Sequence, residues 1–209
     1  MMQPVPFFAN TENNLRCMLA CYRSILAYFT GKIWSWDELD TLTGFSNDTA
    51  AWTLKSLVEL QRLGFDIVMI EPFDYRKFFD QGEGYLSEIF SPAELDWQLK
   101  HSNILSIKKD IPKFLETINY ECRRPTTKDI DTMLAEGRLV TAVVNAKILN
   151  GEPGYSSHMI LIYKKDNDTY VAHDPGLPAY ESRKIPVDLL WKAMGEGASA
   201  TDVTGFRLS

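Results

Sequence analysis

The residues best suited to chemistry in this chain are one cysteine near its start and a histidine and an aspartate near its end. Cys17 opens an apolar, helix-forming stretch, His158 begins a run of strand-forming residues, and Asp174 follows one hairpin later. Unpaired backbone N–H groups at a helix N-terminus and a nearby imidazolium both favour the nucleophilic thiolate over the thiol. This arrangement predicts nucleophilic catalysis, with Cys17 as nucleophile, His158 as general base and Asp174 orienting the imidazole.

The pairing of two predicted strands decides whether His158 and Asp174 can meet. We expect the hairpin between them to turn over residues 166–168, which places Ile160 opposite Asp174. His158 then lies diagonal to Asp174 on the same face of the sheet, within reach of a hydrogen bond. A two-residue turn would put the two side chains on opposite faces, so the predicted contact depends on the register.

Two other histidines are alternatives for the base. His173 is next to Asp174 in sequence, but it alternates to the opposite face of the predicted strand. His101 ends a polar predicted helix, where we expect it to be solvated. His158 therefore remains the preferred base, with His173 as its competitor.

The other two cysteines are predicted to be structural. Cys21 lies one helical turn beyond Cys17, and Cys122 lies in a predicted helix, so we expect both in the core. A zinc site built from Cys17, Cys21, His158 and His173 is a weaker alternative, because C-x₃-C within one helix and no second cysteine pair is a poor zinc signature. No metal or cofactor is expected.

The elements that must position these residues follow an α+β order. Apolar spacing and capping residues predict helices at 16–29, 52–63, 110–122, 126–136 and 187–194, with further helices starting at Ser35 and Ser91. Strands are predicted at 65–70, 139–144, 158–163, 169–174, 180–185 and 203–208. We expect a single domain, residues 1–209, in which an N-terminal helical part packs on a C-terminal antiparallel sheet, with a helical insertion at about 66–125.

Two segments of the chain resemble the C39-like peptidase family, relatives of the bacteriocin-processing cysteine peptidases. The N-terminal match comprises Val5-Pro6-Phe7-Phe8, Cys17-Met18-Leu19-Ala20-Cys21 and Ile25-Leu26-Ala27-Tyr28-Phe29. The C-terminal match comprises Leu134-Ala135-Glu136-Gly137, the strand from Leu139 to Asn145, Gly154-Tyr155-Ser156-Ser157-His158 and Val171-Ala172-His173-Asp174-Pro175-Gly176. The resemblance implies a papain-like fold and a Cys-His-Asp thiol hydrolase, a peptidase or amidase, acting on a peptide or amide substrate. The same chemistry would serve acyl transfer to an amine.

The chain departs from this family at two positions. The family usually has a glycine directly after the nucleophile, where this chain has Met18, and a glutamine six residues before it, where this chain has Thr11. That glutamine donates to the oxyanion, so we expect Asn10 to replace it, with Asn13 the poorer choice. Losing such a donor costs about 3 kcal/mol of transition-state stabilisation.

These departures keep a second hypothesis open. In it, the chain is a weak or inactive papain-like fold that binds a peptide or a partner without turning it over. A binding groove is then predicted from the aromatic residues Phe7, Phe8, Trp34, Trp36 and Trp191.

Composition and charge argue against several classes of partner and location. The net charge is −6 and basic residues are scattered, so nucleic acid is not an expected partner. No apolar run approaches the roughly 20 residues of a membrane span. The start of the chain lacks a basic, then apolar signal sequence, and three cysteines form no disulfide framework, so we expect a cytoplasmic protein. The sequence does not specify the substrate or the oligomeric state.

Overall fold

The fold is α+β, with helices on both faces of one mixed sheet. The computed structural model describes residues 4–45, 50, 52–195 and 201–209. Its helices are α1 Cys17–Thr30, α2 Trp36–Thr43, α3 Leu54–Arg62, α4 Tyr75–Gln81, α5 Glu83–Ile89, α6 Pro92–His101, α7 Ile111–Thr117, α8 Thr127–Ala135, α9 Ala146–Leu149 and α10 Val187–Gly195, with a 3-10 helix at Ile104–Lys109. Its strands are β1 Phe65–Glu71, β2 Asn119–Cys122, β3 Leu139–Asn145, β4 Ser157–Asp166, β5 Thr169–Asp174, β6 Tyr180–Pro186 and β7 Val203–Leu208.

Local signals set several helix boundaries. Ser35 and Ser91 each form a capping box with the glutamate three residues later, which satisfies N–H groups at the starts of α2 and α6. Gly31 ends α1 in the left-handed conformation, with a φ of 70° that glycine adopts without a steric cost. The predicted helices 16–29 and 126–136 therefore agree with α1 and α8 to within about one residue.

The sheet differs from the predicted one at its β2 edge. Its strand order is β2-β1-β7-β3-β4-β5-β6; β1 and β2 run parallel, and the other neighbours are antiparallel. The prediction of a purely antiparallel, C-terminal sheet is wrong there, because β1 and β2 come from the first 122 residues. The predicted helix 110–122 in fact ends at Thr117, and residues 119–122 instead pair with the free edge of β1.

Two apolar clusters cover the two faces of the sheet. The first joins α1 to β1, β4 and β7 and includes Leu19, Ile25, Met69, Leu161 and Phe206. The second lies between the opposite face and helices α8 and α10. Since α1 lies directly against β4 and β7, its N-terminus is held at one end of the central strands.

Residues 66–125 form part of the same core. The sequence predicts this segment as a helical insertion, and it does contain α4 to α7. However, it also contributes most of β1 and all of β2, and Phe78, Leu86 and Phe114 belong to the cluster that includes α1. The segment therefore helps to form one wall of the space in front of α1.

Within the described residues, no helix has both the length and the apolar character needed to cross a membrane.

Candidate active site

Cys17 is the first residue of α1, partly exposed at the end of the sheet. The turn before it is held by Asn10, whose side-chain oxygen accepts hydrogen bonds from the backbone N–H groups of Thr11 (2.8 Å) and Arg16 (2.7 Å). Arg16 in turn forms two hydrogen bonds with the carboxylate of Asp40 on α2, at 2.6 and 2.9 Å. As the first helical residue, Cys17 has a backbone N–H without an intrahelical acceptor.

The groups around the Cys17 sulfur favour its charged form. Burial by itself raises the pKa of the thiol, but a hydrogen bond from His158 and the charge of that ring outweigh this effect. The backbone N–H groups of Met159 and Met18 lower the pKa further. The pKa of Cys17 consequently lies below its ordinary value, which favours the thiolate.

His158 is held between the sulfur and Asp174. Its Nε2 lies 2.7 Å from Asp174 Oδ1, and both side chains are buried, with only 7% and 4% of their surface exposed. Burial alone would lower the pKa of His158, but the hydrogen bonds to Asp174 and Cys17 raise the pKa to about 9. The geometry therefore favours a thiolate–imidazolium pair with a carboxylate behind the ring.

The contact between His158 and Asp174 depends on two features of the β4–β5 hairpin, a short turn and a β-bulge, whose effects on the strand register cancel. The turn contains two residues, because Asp166 pairs with Thr169 and Asn167 adopts a φ of 52°, which asparagine tolerates. The three-residue turn predicted from the sequence is therefore wrong. A β-bulge at Tyr163 then shifts the pairing by one residue, so that Leu161 stands opposite His173.

This bulge restores the predicted register at the functional end of the hairpin. Continuing the Leu161–His173 pairing by one step places Ile160 opposite Asp174, which is the pairing predicted from the sequence. His158 and Asp174 consequently share a face of the sheet and form their hydrogen bond.

Arg183 is a further member of the constellation that sequence reasoning missed. Its Nη1 donates to Asp174 Oδ2 at 2.7 Å and to Asn150 Oδ1 at 3.0 Å. The backbone N–H of Gly176 donates to the other carboxylate oxygen at 3.1 Å. Burial raises the pKa of Asp174, but the bonds from His158, Arg183 and Gly176 together lower it. In the sequence, Arg183 is recognisable only as a basic residue within the predicted strand 180–185.

Asn10 occupies a different environment from the one predicted. Its Nδ2 donates to Asn14 Oδ1 at 2.9 Å, its oxygen accepts two backbone N–H groups, and it does not belong to the lining of the cavity in front of Cys17. The structure thus gives Asn10 a clear role in shaping the turn before α1. Its role as an oxyanion donor stays a prediction.

The alternative histidines and cysteines lie apart from this constellation. His173 Nε2 is 2.9 Å from the Val5 carbonyl, and its Nδ1 accepts from the Ser182 N–H, so both ring nitrogens are engaged elsewhere. His101 is exposed, as expected. Among the residues that the structure describes, no three His, Cys, Asp or Glu side chains are grouped to hold a metal ion.

The two remaining cysteines differ from each other. Cys21 is buried, as predicted, and burial together with the nearby Cys17 raises the pKa of its thiol. The prediction that Cys122 lies in a core helix is wrong, because it lies on the edge strand β2 and is exposed.

A cavity of about 580 Å³ opens in front of Cys17 and His158. That volume is typical of a small-molecule or side-chain binding site. Its lining includes Trp52, Glu71, Tyr75, Trp97, Tyr155 and Asp202. The aromatic residues predicted as a groove (Phe7, Phe8, Trp34, Trp36 and Trp191) are not part of this lining. The sequence offered no signal for Glu71 and Asp202, since single acidic residues at strand ends are common.

The arrangement can support nucleophilic attack on an electrophilic carbon that enters the cavity. Cys17 supplies a thiolate, His158 carries a transferable proton, and Asp174 holds the ring. No family model matches the chain, and no curated protein matches it significantly.

Proposed function

We propose that this chain is a papain-like cysteine hydrolase of the C39-like kind, a peptidase or amidase acting on a peptide or another amide. The observation that carries the proposal is the buried His158–Asp174 hydrogen bond next to Cys17, with Cys17 and His158 both lining one cavity. In support, the sulfur sits at a helix N-terminus, where backbone N–H groups can also stabilise an oxyanion.

The reaction follows from the protonation states. The Cys17 thiolate attacks the amide carbonyl carbon, and the carbonyl oxygen becomes an oxyanion near the Cys17 N–H. His158 gives its proton to the leaving amine as the C–N bond breaks, which leaves a thioester on Cys17. Water, or a second amine in an acyl transfer, then attacks the thioester while His158 takes up its proton. The thiolate and the imidazolium are regenerated.

The redox state of the three cysteines bears on the cell compartment in which the protein works. All three are free thiols. We therefore include a cytoplasmic location in the proposal, since a reducing compartment keeps such thiols reduced.

One observation favours a second candidate function, a binding module without turnover. The Asn10 amide that would assist the oxyanion already donates to Asn14 and lies outside the cavity lining. With the Cys17 N–H as the main donor, the intermediate would be poorly stabilised. The module would then hold a peptide in the cavity.

The acyl-enzyme separates the two functions. With p-nitrophenyl acetate as the probe, the hydrolase should release a burst of nitrophenol and gain the mass of one acetyl group on Cys17. Cys17→Ala should abolish both signals, and Cys122→Ser should preserve them. A protein that gains no acetyl group on Cys17, or gains it equally on Cys122, is not the proposed hydrolase.

A further inference from the structure

Two carboxylates face the cavity that leads to Cys17. Glu71 ends β1, and Asp202 lies just before β7, so the β1–β7 pairing brings them together. In that pairing Ile70 stands opposite Val203. Continuing the register by one step places Glu71 directly opposite Asp202, where like charges repel.

Both carboxylates are buried and still face open space. Only 4% of Glu71 and 6% of Asp202 is exposed, yet both contribute to the lining of the cavity. One oxygen of Glu71 accepts the Tyr75 hydroxyl at 2.6 Å, and one oxygen of Asp202 accepts the Thr204 hydroxyl at 3.0 Å. Across the described part of the chain, neither carboxylate forms an ion pair with a lysine, arginine or histidine.

Two buried carboxylates that face each other destabilise the folded protein unless a proton or a cation neutralises their charge. Burial and the charge of Asp202 raise the pKa of Glu71, and burial likewise raises the pKa of Asp202. Both shifts favour a shared proton on the pair when no ligand neutralises it. A cation that enters the cavity can replace that proton and use the carboxylate oxygens that have no hydrogen-bond donor.

The other walls of the cavity also suit a cation. Trp97 and Tyr155, each 49% exposed, line it together with the less exposed Trp52. Aromatic faces attract ammonium and guanidinium groups. Of the described lining residues, His158 is the only basic one, and it serves Cys17.

We propose that the Glu71–Asp202 pair is the specificity site of this enzyme and binds a primary ammonium or guanidinium group of the substrate. The preferred substrate is thus an amide or peptide with a basic side chain or amine close to the scissile bond. This inference rests on the proposed function, since Cys17 must be the reacting residue at the same cavity.

The test compares matched reagents for Cys17. N-alkyl iodoacetamides with chains of two to six carbons would end either in an ammonium group or in a neutral methyl group, and labelling would be followed in a Cys122→Ser protein. With the best chain length, we expect the ammonium reagent to label Cys17 at least about tenfold faster than its neutral partner.

Matched variants identify the source of this preference. Glu71→Gln and Asp202→Asn, singly and together, should bring the ratio of the two rates towards one. Glu83→Gln removes an exposed carboxylate outside the cavity lining and should leave the ratio unchanged, which controls for the overall negative charge. A second measurement leaves both carboxylates intact. In that protein, pentylammonium should protect Cys17 from the neutral reagent better than 1-pentanol does.

The outcomes separate the two proposals. If Cys17 in the unsubstituted protein, labelled in parallel, reacts no faster than the exposed Cys122 with either reagent, the proposed hydrolase function fails. If Cys17 reacts rapidly but equally with both reagents, and pentylammonium gives no extra protection, only the cation site is refuted. In that case the acidic pair is a structural feature that shares a proton.

Discussion

Replacing His158 by alanine tests the electrostatic link between the imidazole and the Cys17 sulfur. Despite burial, the bond from His158 and the charge of its ring lower the pKa of Cys17. Burial alone would lower the pKa of His158, but its partners raise it to about 9. As the pH falls, the thiolate persists down to the lowered pKa of Cys17. As the pH rises, the imidazolium persists up to about pH 9, so the ion pair exists between the lowered pKa of Cys17 and about pH 9.

The size of the effect follows from the thiolate fraction. An ordinary thiol has a pKa of 9.0, so its thiolate fraction rises from about 0.1% at pH 6 to about 50% at pH 9, roughly 500-fold. His158→Ala removes both the donor and the positive charge but leaves the burial, which favours the neutral thiol. We expect the alkylation rate of Cys17 in the variant to rise between about 500-fold and 1000-fold over this interval. With His158 present, the rise should be much smaller than in the variant, because the pKa of Cys17 lies below its ordinary value.

Iodoacetamide labelling from pH 6 to 9 measures these rates. The background is Cys122→Ser, because Cys122 is exposed and would compete for reagent. Fragmentation of the peptide that carries both Cys17 and Cys21 assigns the label to one sulfur. His101→Ala, which removes an exposed histidine, is the matched control and should leave the pH profile as it is in the unsubstituted protein.

Two results would refute the reasoning. One is a Cys17 rate that climbs about tenfold per pH unit with His158 in place, the behaviour of an unperturbed thiol. The other is a His158→Ala profile that superimposes on the unsubstituted one. Either result would mean that the imidazole does not stabilise the thiolate.

Three further predictions concern the groups around this pair. Asp174→Asn removes the charged partner of His158, so the pKa of His158, followed by NMR titration of its ring protons, should fall from about 9; an unchanged pKa would contradict the role of Asp174. Gly176→Ala adds a Cβ about 3.1 Å from Asp174 Oδ1 and 3.2 Å from His158 Nε2, so it should slow Cys17 alkylation at pH 6, whereas Gly195→Ala, with no atom within 4 Å of the added Cβ, should not. Asn10→Ala leaves two backbone N–H groups without their acceptor and should lower the free energy of unfolding, measured in urea, by about 1–3 kcal/mol; a smaller loss would mean that water replaces the side chain.

The sequence by itself determined the elements whose signals are local. Ser35 and Ser91 specify helix starts through capping boxes, and Gly31 ends α1, since these effects involve residues within one turn. Apolar spacing in the sequence places Cys17 in the first turn of a helix, which is the basis for expecting a reactive thiol. Helix propensity failed at residues 118–122, because pairing with the free edge of β1 outweighs a weak local preference.

Tertiary structure decided which of these residues meet. The contact between His158 and Asp174 depends on a bulge at Tyr163 that compensates for a shorter turn, and no local signal specifies both. Arg183 reaches Asp174 only through pairing of β5 with β6. Glu71 and Asp202 are 131 positions apart and become neighbours through the β1–β7 register. Spacing along the chain indicates which face of an element a side chain occupies, but sheet register and strand order determine what stands opposite it.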